Sequence, residues 1–185
     1  MKKVDNIIIE QSMSEFPINR QLKGNEYAQL RPLWRIHSYP IDYFIDRIKE
    51  GHYWTHVYGN KNKVSLQYFI STQCIVISMS KCETDMNTFI SNLMKESKPL
   101  PTFAYTTWDD NQNGLYYYKL VYCFSTRILG YEFNMVYDCL TDKLGLIQKS
   151  NQKANNAKVA THCGNPTDSF RCYRTNYLYD ISDFV

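Results

Sequence analysis

The sequence predicts an α+β fold in which a mostly antiparallel sheet is flanked by about three helices. Three observations carry this expectation. Three stretches place apolar residues at helical spacing. The runs between them are rich in β-branched and aromatic residues and have strand length. The run at 102–124 breaks at Asp, Asn and Gly, as a hairpin does.

In chain order, "NIIIE" (6–10) is a short strand, and residues 11–37 carry few punctuation signals. "SYPIDYFIDRIKEG" (38–51) is a helix: Ile41, Phe44, Ile45 and Ile48 share one face, Pro40 sits near the start and Gly51 is the stop. "HYWTHVYG" and "KVSLQYFI" follow as strands around the turn Gly59-Asn60. "CIVISMS" (74–80) reads as a buried strand that ends in two serines, Ser78 and Ser80, on one face. "ETDMNTFISNLMKES" (83–97) is the second helix, through Met86, Phe89, Ile90, Leu93 and Met94.

"PTFAYTTW" is a strand, "DDNQNG" a turn and "LYYYKLVYCF" the returning strand. Tyr118, Leu120, Tyr122 and Phe124 fall on one face of it, with Tyr117, Lys119 and Val121 on the other. "GYEFNMVYDCLTDKLG" (130–145) is the third helix, stopping at Gly145. Residues 148–157 are polar and read as a loop, "KVATHC" as a short strand, 164–176 as irregular and the end as a last strand or tail.

The length of 185 residues suits one domain, or one domain with an extension. An apolar content of 44% supplies a core and argues against disorder. Sixteen tyrosines suit a groove or an interface as well as a core edge. A formal charge of +3 permits nucleic-acid contact without arguing for it. Six cysteines form no C-x-x-C pair, which argues against a zinc site, and the sequence points to no cofactor or metal. The start "MKKVDNIIIEQ" lacks a signal-peptide run and no stretch has membrane-span length. The expectation is a cytoplasmic protein with reduced thiols and no membrane partner.

Few motifs carry chemistry. Asp109, Asn111, Asn113 and Gly114 match half of a calcium loop, but Leu120 stands where the bidentate Glu belongs, so a hairpin turn is the better reading. His52 and His56 read as surface or groove histidines. His162 and Cys163 are adjacent, hence on opposite strand faces, and do not form a dyad. Glu83 and Asp85 suit a helix first turn. Arg171, Tyr173, Arg174 and Tyr177 form a basic and aromatic cluster of the kind that holds phosphates and stacks bases, or a solvated surface.

Taken together, "IKEGHYWTHVYGNKNKVSLQYFISTQCIVISMS", "PTFAYTTWDDNQNGLYYYKLVYCF" and "ATHCGNPTDSFRCY" resemble, in order, the motif regions of the archaeo-eukaryotic primase superfamily, in particular its small plasmid and phage domains. The resemblance implies a primase-like (RRM-like) core at 41–185 with an N-terminal extension at 1–40. It also implies a degenerate site. Ser78 and Ser80 stand where the family carries paired metal-binding Asp residues, Asp110 where it carries a nucleotide-contacting His, and Ala160 where it carries a third Asp. A basic pair becomes Tyr117 and Lys119, and an Arg becomes Asp168. Hydroxyls do not balance a divalent cation as carboxylates do. The expectation is therefore a catalytically inactive domain of a mobile element or phage. It would bind DNA or RNA through Tyr117, Lys119, Arg171, Tyr173 and Arg174. The alternatives are an inhibitor of a host nucleoprotein nuclease such as a CRISPR effector (an anti-CRISPR-like role) and a residual metal-dependent nucleotidyltransferase.

Overall fold

A computed structural model of the chain describes residues 2–60, 64–111, 113–146 and 151–184. Its elements are β1 (Lys2–Lys3), β2 (Ile8–Ser14), β3 (Trp34–Pro40), α1 (Ile41–Lys49), β4 (Trp54–Thr55), β5 (Val57–Tyr58), β6 (Phe69–Cys82), α2 (Met86–Lys95), β7 (Phe103–Thr106), β8 (Tyr116–Leu129), α3 (Phe133–Lys143), α4 (Asn151–Lys158), β9 (Cys172–Arg174) and β10 (Tyr177–Tyr179). Among the described residues β6 and β8, each of 14 residues, are the longest strands and form the antiparallel spine of the main sheet. β7 and then β9 flank one half of β8, and β10 and then β1 flank the other. Among the described residues only the β10–β8 pairing is parallel. β3, β2 and β4 make a second, smaller antiparallel sheet.

Strand alternation sorts the core. Ile75, Ile77, Tyr118, Leu120, Tyr122 and Phe124 face α2, α3 and α4. Cys74, Val76, Phe103, Tyr105, Val121 and Cys123 face α1 and the small sheet. The thiols of Cys74 and Cys123 meet across the strands at 3.5 Å. The three helices read from spacing all form. α1 buries Ile41, Phe44 and Ile48, and it ends at Gly51, whose φ of +100° favours glycine. α2 is capped by the Asp85 carboxylate, which accepts the N–H groups of Asn87 at 3.0 Å and Thr88 at 3.1 Å. The 102–124 hairpin forms as read, turning through Asn111 and Asn113 at φ of +59° and +56°.

Residues 2–40 share the core. Ile7, Ile9 and Met13 pack in one cluster with Ile41, Phe44 and Trp54, and β1 joins the main sheet beside β10. A 3-10 stretch at Gly24–Leu33 links β2 to β3.

Three readings are corrected. Part of the polar stretch at 148–157 lies in a helix, α4; residues 147–150 are outside the described ones. "KVATHC" makes only a single bridge, His162 to Trp54. His52 and His56 are not surface groups. They are 0% and 1% exposed. The His56 Nε2–H donates to the Ala157 carbonyl at 2.9 Å and the Tyr58 hydroxyl donates to the Lys158 carbonyl at 2.6 Å. These two bonds satisfy carbonyls at the end of α4, where the Ala157 carbonyl also accepts the Ala160 N–H at 3.3 Å. The helix is held by groups about a hundred residues away in sequence, which its own spacing cannot reveal.

Candidate functional site

β5 pairs with β6 only near Phe69 and Ser71, so the far end of β6 has β8 on one side alone. On its other side α3, α4 and residues 160–162 enclose a cleft of about 440 Å³. Ser78 and Ser80 line it from β6, Lys153 and Asn156 from α4, and Ala160 and His162 from the segment after α4. No Asp or Glu lines it among the described residues. Nor does any group of three or more His, Cys, Asp and Glu among them converge as a metal would require.

The sheet register sets Lys119 opposite Ser78, and the Lys119 ammonium donates to the Ser78 hydroxyl at 3.1 Å. Burial pushes the pKa of this lysine down. His162 is 1% exposed. Its backbone exchanges hydrogen bonds of 2.9 and 2.7 Å with Trp54, and its ring lies 4.4 Å from the indole. Neither ring nitrogen has a hydrogen-bond partner among the described residues. Burial first, then the charge of Lys119 and the nearby His56, holds its pKa well below the ordinary value.

The structure thus brings together three of the positions read from the sequence, Ser78, Ser80 and Ala160, with Lys119 beside them. Asp110 is used otherwise: its carboxylate accepts the Tyr117 N–H at 3.0 Å and closes the hairpin. Tyr117 is half-buried, and its carbonyl accepts the Thr107 N–H at 3.0 Å. The basic and aromatic cluster does not share a face. Tyr173 packs with the α2–α3 side of the sheet, opposite Ala104. Arg174 lies in the row of Phe103 and forms an ion pair with Asp42. The Arg171 guanidinium donates to the carbonyls of Asp168 at 2.7 Å and Phe170 at 3.0 Å. Sequence spacing pointed to neither Lys153 nor Asn156, because α4 itself was not legible, and it raised His162 only as a neighbour of Cys163 and not as a wall of this cleft.

Gly164 explains how the segment carrying His162 reaches this place. A Cβ there would lie 2.6 Å from the Gly51 carbonyl carbon and from the Ile48 oxygen. The next residue anchors the contact, the Asn165 N–H donating to Ile48 O at 3.0 Å. Both clashes are with backbone, so Gly164→Ala is expected to cost about 1–3 kcal/mol, read as a lowered urea midpoint. An unchanged midpoint would show that the segment has room to shift.

No protein-family profile matches this chain, and no curated protein matches it in sequence. The architecture itself is that of a primase-like α+β domain. In particular, it is similar to the solved AEP domain of the cyanophage S-2L primase-polymerase (PrimPol), at 12% identity and a TM-score of 0.51, over 95% of this chain and 86% of that one. That likeness shows the fold and bears out the α+β, mostly antiparallel reading. No helix among the described residues is long and apolar enough to cross a membrane.

Proposed function

We propose that this chain is a primase-like domain that binds nucleic acid and does not carry out two-metal nucleotidyl transfer. One observation carries the reading: the Lys119 ammonium sits on the Ser78 hydroxyl, 3.1 Å away, at the strand end where primase-like sites hold paired carboxylates. A divalent cation about 4 Å from that ammonium meets a repulsion of roughly 8 kcal/mol at an effective dielectric constant near 20. Ser78 and Ser80 supply no negative charge to offset it. The same ammonium suits a phosphate of a DNA or RNA strand.

The test has two arms. Binding to single-stranded DNA, read by anisotropy, is expected to weaken steeply with salt. Lys119→Gln should weaken it on every sequence and lower the salt slope by about one. Nucleotide incorporation with magnesium or manganese is expected to be absent. Metal-dependent incorporation that Asp109→Ala or Asp110→Ala abolishes would overturn the inactive reading. Failure to bind DNA or RNA at low salt would overturn the nucleic-acid reading and leave a protein partner, such as a nuclease complex, as the occupant to seek.

A further inference from the structure

Cys74 and Cys123 stand directly opposite each other on β6 and β8, fully buried, with their sulfurs 3.5 Å apart. Neither backbone N–H is spent on the other residue. The Cys74 N–H donates to the Thr72 hydroxyl at 3.0 Å, and the Cys123 N–H to the Thr102 hydroxyl at 2.8 Å. Opposed residues of an antiparallel pair that exchange no backbone bonds are the closely spaced kind, with Cα atoms about 4.5 Å apart. A disulfide bridges Cα separations of about 4.4–6.8 Å. The backbone therefore already holds the spacing that a bond between the sulfurs needs.

The ladder breaks immediately beyond this rung. The next paired residues are Thr72 and Ile128, so Gln73 on β6 faces residues 124–127 on β8. Ser125, Thr126 and Arg127 in that bulge are exposed. Bulges interrupt strand pairing, and stretches with exposed backbone open at low free energy. A small oxidant thus reaches the pair by the opening of a few residues, without unfolding of the sheet. Burial, then the neighbouring Cys74, pushes up the pKa of the Cys123 thiol, so the shut pair reacts slowly and the opening sets the pace. On the other side of the rung the same sheet face carries Val76 opposite Val121 and then Ser78 opposite Lys119. A bond between the cysteines would tie the row that ends at the candidate cleft.

We propose that Cys74 and Cys123 are a redox pair, open as two thiols and closed to a disulfide by a peroxide-class oxidant. One thiolate attacks a peroxide oxygen: an S–O bond forms, the O–O bond breaks and hydroxide leaves. The second thiolate attacks the resulting sulfenic sulfur: the S–S bond forms, the S–O bond breaks and a second hydroxide leaves. The two thiol protons and the two hydroxides end as water, and two electrons pass from the sulfurs to the peroxide. The pair is independent of the nucleic-acid reading, since neither thiol lines the cleft.

In the experiment the folded full chain is treated with hydrogen peroxide, quenched with catalase, denatured, alkylated with iodoacetamide and digested without reductant. The expected product is a linked peptide joining Cys74 to Cys123, lighter than the two thiol peptides together by two hydrogen atoms. Dithiothreitol should restore both as alkylated peptides. The bond closes a loop across 49 positions, and the closed form is expected to melt about 5–10 °C above the reduced one. Cys123→Ala should abolish both the link and the shift. The peroxide and dithiothreitol arms use the unaltered chain, so they decide the matter even where the variant folds poorly. Full alkylation of Cys74 and Cys123 after a treatment that oxidises the exposed Cys172 overturns the proposal. So does linkage of either residue to a different cysteine. A linked chain that melts no higher than the reduced one overturns the fit of the rung, because strain then offsets the gain.

Discussion

Lowering the pH from 7 to 5 is expected to cost the folded protein about 2 kcal/mol through His56 alone. The ring is 1% exposed, and burial pushes its pKa from the ordinary 6.5 to about 4. Above pH 6.5 the folded and unfolded chains are both neutral at this residue, and it contributes no pH dependence. Between 6.5 and about 4 only the unfolded chain takes up the proton, so stability falls as pH falls, by up to roughly 1.4 kcal/mol per unit. Below about 4 both states are protonated and the loss levels off. Burial lowers the pKa values of His52 and His162 as well, so they act in the same direction. The capping carboxylate of Asp85 does not intrude, because its pKa is held below 3.8 and its contribution is lost only under that pH. Urea unfolding at pH 7 and pH 5 measures the effect. His56→Gln should remove its share and leave a shallower dependence from His52 and His162. Equal unfolding free energies at the two pH values would show that the histidines are hydrated or already charged.

Trp54→Ala is expected to be the most damaging single truncation near the cleft, at about 3–5 kcal/mol. The side chain is fully buried, edge-on to Phe44 at 5.2 Å and 4.4 Å from the His162 ring. Its indole N–H donates to the Tyr105 hydroxyl at 3.1 Å, and that hydroxyl donates to the Cys163 carbonyl at 3.2 Å. Truncation therefore opens a large cavity, and it removes one member of a chain of bonds that positions residues 162–163. The melting temperature should fall by on the order of 10 °C. Trp54→Phe keeps the packing against Phe44 and loses only the N–H, so its drop should be a fraction of that. A decrease under about 2 °C for the alanine variant would mean that the pocket collapses around the gap.

What the sequence revealed follows from where the information is local. The three amphipathic helices, the hairpin at 102–124 and the serine-ended strand are written in spacing and turn chemistry within a dozen residues or so. The pairing of Ser78 with Lys119 is not: alternation put Lys119 on a face but not opposite any residue, since its partner is 41 positions away. α4 was hidden for the same reason, because His56 and Tyr58 complete its last turn. The histidines misled because a polar side chain in a mixed run gives no sign that a carbonyl waits for it in the fold. The tyrosines were ambiguous in the same way. Tyr53, Tyr105, Tyr118 and Tyr122 turn out to be fully buried, as core residues and not as a binding surface.

The stretch of β6 from Ser78 to Cys82 lies at the margin of the core, where Met79 and Cys82 still pack, with side chains that are exposed or half-exposed and a strand neighbour on one side only. Substitutions at such positions usually shift stability by no more than about 0.5 kcal/mol. The scaffold therefore places little constraint on which residues stand along this edge. Acids or hydroxyls can be exchanged at positions 78 and 80 while the two packed faces of the sheet behind them stay intact, so the fold tolerates either without unfolding.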